Sequence, residues 1–202
     1  MSSPALEFWF DLASNYSYLS VMRIEAAAQR AGVAVAWRPF LLGPILEALG
    51  WEGPPFVVQK EKGAYVMQDM ERQCRKYGLS WRRPTVFPRR AVLATRIAVL
   101  GEGEPWQHDW CRAIMVRNYG EDREIDSEEA VSDVLERLGL PARHTIDAAL
   151  GEPNRQRLRE ATREAQARGI FGAPTFFVGD AMYWGNDRLE DALEAARANG
   201  PT

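Results

Sequence analysis

The feature that most constrains this chain is where its strand-forming residues lie, at the two ends and nowhere between. Ala5–Phe10 and Val33–Trp37 read as strands, dense in aromatic and β-branched side chains. Between them the sequence predicts a helix over Tyr16–Ala31, with Leu19, Met22 and Ala26 on one face and Gly32 as its stop. A β-α-β start favours a right-handed crossover and a parallel strand pair. Strand character returns only at Thr175–Val178 and Ala181–Trp184, joined by the two-residue hairpin turn Gly179-Asp180. A charged helix over Asn154–Arg168 precedes this hairpin. A last helix follows it, striped by Leu189, Ala192, Leu193 and Ala196.

From Leu41 to Gly151 the pattern is helical. Helices are expected over Leu42–Leu49, Gly63–Tyr77, Arg90–Leu100 and Trp106–Arg117, with a loop at Gly50–Pro55 and an extended stretch at Arg83–Pro88. Asp126-Ser127-Glu128-Glu129 reads as a capping box with Glu129 at N3. The helix it opens carries Val131, Val134, Leu135 and Leu138 and ends before Pro141. With this block removed, the order β-α-β-α-β-β-α resembles the thioredoxin fold, and the helical insertion resembles the DsbA-like branch. The expected class is therefore α/β: a discontinuous thioredoxin-like domain (1–42 and 152–202) around an inserted helical domain (43–151).

Composition excludes several functions. A net charge of −3 gives no electrostatic case for nucleic acid or an anionic membrane. No uncharged stretch approaches a membrane span, and the first residues lack the basic-then-apolar pattern of a signal peptide, so a cytoplasmic protein is expected. Cys74 and Cys111 are isolated, as are His108 and His144, which argues against a disulfide scaffold and a metal site. The arginines at 82–83 and 89–90 read as a solvated face.

Chemistry is expected where the first strand meets the first helix. The exposed N–H groups and dipole of a helix N-terminus favour an anion. Ser14 sits there, and Asp11 and Ser14 are both good N-cap types. By itself Ser14 reads as a helix cap. In a thioredoxin-type fold this is also where a CxxC pair would act, and the chain has Ser14-Asn15-Tyr16-Ser17 instead. A protein disulfide mechanism lacks its nucleophile, but a serine hydroxyl can stabilise a thiolate carried by a ligand. By itself Pro174 reads as shaping a turn; the resemblance to thioredoxin-like folds implies a cis-proline beside that helix start, with Ala173 offering its backbone to an extended peptide. Asp187-Arg188 suits the amino and carboxylate groups of a peptide cofactor, and Lys62 a second carboxylate.

Five motifs in order resemble the 2-hydroxychromene-2-carboxylate isomerase family, relatives of kappa-class glutathione transferases. They are Phe10–Leu19 (FDLASNYSYL), Arg38–Gly43 (RPFLLG), Lys62–Tyr65 (KGAY), Gly172–Phe176 (GAPTF) and Trp184–Leu189 (WGNDRL). The resemblance implies a cytoplasmic, homodimeric, glutathione-dependent isomerase acting on a small aromatic substrate. Its serine, here Ser14, is the catalytic residue and stabilises the glutathione thiolate. Lys62, Ala173, Pro174, Trp184, Asn186, Asp187 and Arg188 complete the cofactor site. Thiolate addition to an unsaturated keto acid, bond rotation and elimination would exchange 2-hydroxychromene-2-carboxylate with trans-o-hydroxybenzylidenepyruvate. Asn15 replaces the family's usual Pro, Trp51 stands where kappa-class relatives have an Asn, and Arg90 stands where many relatives have Asn. The competing readings are a kappa-like transferase that keeps the adduct as product and a non-catalytic peptide-binding module.

Overall fold

The computed structural model describes residues 6–53 and 58–199. The expected first strand residue, Ala5, and Pro54-Pro55 of the expected loop lie outside them. Four strands, β1 (Leu6–Phe10), β2 (Val35–Pro39), β3 (Thr175–Val178) and β4 (Ala181–Trp184), form one sheet in the order β2-β1-β3-β4. β1 and β2 are parallel, and β1–β3 and β3–β4 are antiparallel. The chain ends thus meet in one sheet, as the terminal placement of the strands requires.

Among the described residues the α-helices include α1 (Asn15–Ala31), α2 (Leu42–Ala48), α3 (Lys60–Tyr77), α4 (Val92–Leu100), α5 (Gln107–Met115), α6 (Glu128–Arg137), α7 (Ala142–Leu150), α8 (Glu152–Ala167) and α9 (Leu189–Ala198). Gly32 and Gly78 close α1 and α3 in the left-handed conformation. α5 does not run to Arg117 as an α-helix but widens into a π turn over Val116–Gly120.

Alternation along β1 fills both faces of the sheet. Phe8 and Phe10 stack on each other and meet Trp37 edge-on, and Phe8 also stacks on Phe176. Trp9 points the other way, to Phe40 and Phe177, under α2 and α8. Each such fully buried side chain stabilises the fold by roughly 1.5–3 kcal/mol. The Phe8 cluster continues without a break into Ile97, Trp110, Ile114, Val131 and Leu135 of the helical block.

Three local expectations are corrected. β2 is shifted to end at Pro39, because β2 is an edge strand and an edge tolerates proline. α7 was not expected: Pro141 does not merely stop α6 but stands at the N-cap of a new helix. The capping box is also not formed. Ser127 is the N-cap of α6, its Oγ accepting from Ala130 N at 3.1 Å. The Asp126 carboxylate is drawn instead to α4, where it accepts from Leu93 N at 2.5 Å and Ala94 N at 3.3 Å.

Candidate active site

Ser14 is the N-cap of α1, and its Oγ accepts from Ser17 N at 3.2 Å. The same oxygen donates to the carbonyl of Ala173 at 2.9 Å. Ala173 precedes β3, and the Ala173–Pro174 bond is cis. The fold therefore brings together two predicted site residues from opposite ends of the chain. Ser14 and Ala173 are both partly exposed, so the junction is open to a ligand. Asn15 starts α1, is buried, and accepts from Tyr16 N through Oδ1. Among the described residues, Asn15 Nδ2 and Ser17 Oγ are buried without a hydrogen-bond partner.

The approach to Ser14 is fixed by two groups that the sequence reading cast in other roles, Asp11 and Arg89, and by Asn118 and Tyr119, which it did not single out. Asp11 is not a helix cap. It is buried, and its carboxylate accepts from Ala13 N and from Leu42 N at the start of α2, each at 2.6 Å. Burial pushes its pKa up, and the two N–H donors pull in the opposite direction. Asn118 and Tyr119, in the π turn, donate to the carbonyls of Leu12 and Ala13. Arg89, expected on a solvated face, is buried, donating to Asn118 Oδ1 at 3.1 Å and paired with Asp122 at 2.5 Å. Its neighbour Arg90 is the exposed one and pairs with Asp126 at 3.0 Å.

Around this point lie the other predicted residues. Trp184, at the end of β4, is exposed and rests edge-on against Phe171, with its indole directly over Gly172, where a Cβ would collide with it. Gly185 has φ +108, and its N–H donates to Pro174 O at 2.9 Å. A side chain there would meet Asp187 Oδ1 at 2.6 Å, so this corner demands glycine. Asp187 and Arg188 are exposed, and Arg188 pairs with Asp191 at 2.8 Å. Burial raises the pKa of the Tyr16 phenol, which donates to Asp69 of α3 at 2.8 Å, and the Asp69 and Asp187 carboxylates push it the same way. Lys62 is exposed on the first turn of α3, about 10 Å along the helix from Asp69 and on the same side. Asn186 is set apart from these surface groups. It is buried, and its Oδ1 accepts from Ser20 at 3.1 Å and Arg23 at 2.8 Å, tying the segment before α9 to α1.

Neither cysteine joins the site. Cys74 and Cys111 are buried on helices, and burial pushes the Cys74 thiol up to about 12 and the Cys111 thiol up as well. Such thiols are poor nucleophiles near neutral pH.

A serine at the first helix start, facing a cis-proline loop, on a four-stranded sheet interrupted by helices, defines a DsbA-like thioredoxin-fold protein without the redox thiol pair. The DSBA-like thioredoxin domain family matches residues 5–197. A 2-hydroxychromene-2-carboxylate isomerase of Pseudomonas putida is 31% identical over 91% of this chain and 90% of its own. A solved structure of 2-hydroxychromene-2-carboxylate isomerase superposes with a TM-score of 0.85 at 28% identity, covering 96% of this chain and 94% of that one. The rat glutathione S-transferase kappa 1 is 25% identical over 92% of this chain and 87% of its own. The chain belongs to the 2-hydroxychromene-2-carboxylate isomerase family of DSBA-like thioredoxin proteins.

Proposed function

We propose that this protein is a glutathione-dependent isomerase that interconverts 2-hydroxychromene-2-carboxylate and trans-o-hydroxybenzylidenepyruvate or a related unsaturated aromatic keto acid. The observation that carries the reading is the Ser14 hydroxyl, held at the N-terminus of α1 against Ala173 with no thiol on either side. Family membership supports the reaction class.

The donor set fits glutathione. A tripeptide with one thiol, one amine and two carboxylates needs a backbone edge, an acid, two cations and a thiol-facing donor. Ala173 supplies the edge, Asp187 the acid, Arg188 and Lys62 the cations, and Ser14 the donor, with Pro174 and Trp184 as apolar walls. Glutathione would supply a nucleophilic thiolate of ordinarily weak acidity. Ser14 lowers that pKa by turning its hydroxyl proton from the Ala173 carbonyl toward sulfur, and the helix N-terminus acts in the same direction. Asp11 holds the turn before Ser14, so the hydroxyl needs no reorganisation of backbone to act. Asn186 contributes through Arg23 and Ser20 by fixing where Asp187 and Arg188 stand. The same reading extends to a homodimer in the cytoplasm, tested by sedimentation and by cell fractionation.

The test is product identity. Incubation with the keto acid and sub-stoichiometric glutathione should give the isomer with all glutathione recovered free, and S-methylglutathione should give none. Accumulating conjugate would establish the kappa-like transferase reading instead. No glutathione binding would leave the peptide-binding module.

A further inference from the structure

Two peptide planes lead into Ser14, and each is gripped at both ends. In the Leu12–Ala13 plane, Ala13 N–H donates to Asp11 Oδ1 at 2.6 Å and Leu12 C=O accepts from Asn118 Nδ2 at 3.4 Å. In the Ala13–Ser14 plane, Ser14 N–H donates to Asp11 O at 3.0 Å and Ala13 C=O accepts from the Tyr119 hydroxyl. With both planes fixed, φ and ψ of Ala13 are fixed and the Ser14 Cα is delivered to one point, from which the bonds to Ser17 N and Ala173 O hold the hydroxyl.

Half of that grip comes from the helical insertion. Asn118 and Tyr119 are consecutive, and in an ordinary α-helix consecutive side chains diverge. Here they lie in the π turn Val116–Gly120, whose i→i+5 geometry is common at functional sites. They reach consecutive carbonyls of one loop. The turn itself is locked. Arg89 donates to Asn118 Oδ1, which leaves the amide nitrogen for Leu12. Tyr119 O accepts from Arg82 N at 2.7 Å, and its ring stacks on Trp81. A Cβ on Gly120 would meet Ser80 Oγ at 2.5 Å. Burial keeps the Tyr119 phenol protonated and able to donate.

We infer that Asn118 and Tyr119 are positioning residues for Ser14, so that the π turn of the insertion sets the point from which the catalytic hydroxyl acts. This rests on the reading of Ser14 as the thiolate-stabilising group. It makes the insertion part of the catalytic apparatus and more than a cover over the sheet.

The test is a double-mutant cycle. The ultraviolet absorbance of the bound glutathione thiolate is titrated, and kcat measured, in wild type, Ser14→Ala, Tyr119→Phe and the double variant. Tyr119→Phe keeps the ring and removes one hydroxyl. It should raise the bound thiol pKa and lower kcat roughly tenfold, the scale of a small misalignment. Its affinity for S-methylglutathione should not change, and its effects should vanish in the Ser14→Ala background. Should Tyr119→Phe fold poorly, Asn118→Leu serves the same cycle, since it keeps the size of the side chain, removes the donor to Leu12 and leaves Arg89 its pairing with Asp122. A Tyr119→Phe variant with wild-type pKa and kcat, beside a Ser14→Ala variant that has lost both, would overturn the inference alone. Effects that add in the double variant would do the same. A Ser14→Ala variant that changes neither quantity would overturn the reading of Ser14 and the inference with it.

Discussion

The loop before Ser14 and the corner at Asp187-Arg188 lie at the same end of the sheet but are built differently. The loop is pinned by buried groups, with Asp11, Asn118 and Tyr119 each directed at a particular backbone atom. The corner is exposed, and Arg188 pairs with the nearby carboxylates Asp187 and Asp191. Under the proposed function, the difference is a division of labour. Where charge must be stabilised at one point, donors are preorganised in low dielectric. Where a flexible peptide must be captured, surface charges suffice, and their side chains adjust.

That contrast can be broken by substitution. The largest effect is expected at the fixed end: Ser14→Ala should lower kcat/KM about a hundredfold, the scale of losing one preorganised donor, while the lost helix cap costs only about 0.5–2 kcal/mol of stability and leaves the protein folded. Next comes Asp11→Ala, which leaves two backbone N–H groups without their acceptor and should destabilise the fold by about 2–4 kcal/mol in urea unfolding. The pH dependence of this group has a definite sign. Its folded pKa lies above the ordinary 3.8, so the native state holds the proton longer than the unfolded chain. Its contribution is therefore fully present below that ordinary value and is lost as pH rises through the raised one. The stability difference between wild type and Asp11→Asn should shrink over that window, and a difference that grows would contradict the buried carboxylate.

At the exposed corner the effects should be smaller and confined to binding. Arg188→Ala should weaken glutathione binding about tenfold, as for a lost charge-assisted contact, and leave the melting temperature alone. Loss of fold in that variant would show that the corner is structural after all. Smallest of all, Cys74→Ala with Cys111→Ala should retain activity within about twofold, because both thiols are buried and protonated.

What the sequence made legible follows the same divide. Local signals were sufficient for the strands, for α1, for the Gly32 and Gly78 stops and for the Gly179-Asp180 turn, because periodicity and turn chemistry act over a few residues. The meeting of Ser14 with Ala173 was legible through the resemblance, since nothing local ties residues at opposite ends of the chain. The buried polar set was not. Asp11 looked like a cap because it precedes a helix, yet tertiary packing directs it to Leu42. Asp126 was misread for the same reason, its carboxylate serving α4 and not its own helix. Arg89 and Arg90 are indistinguishable as a pair of letters, and only the fold buries one and leaves the other in solvent. The division at residues 43 and 151 stands as a proposal about folding units beside a core that runs through both.

The central claim is that Ser14 ionises a borrowed thiol. Calorimetric titration with glutathione in buffers of different ionisation enthalpy tests it most directly, because a thiol that ionises on binding releases a proton to the buffer. The account predicts proton release at neutral pH in wild type, and much less in Ser14→Ala and with S-methylglutathione. Equal proton release in wild type and Ser14→Ala, or no binding at all, would contradict it.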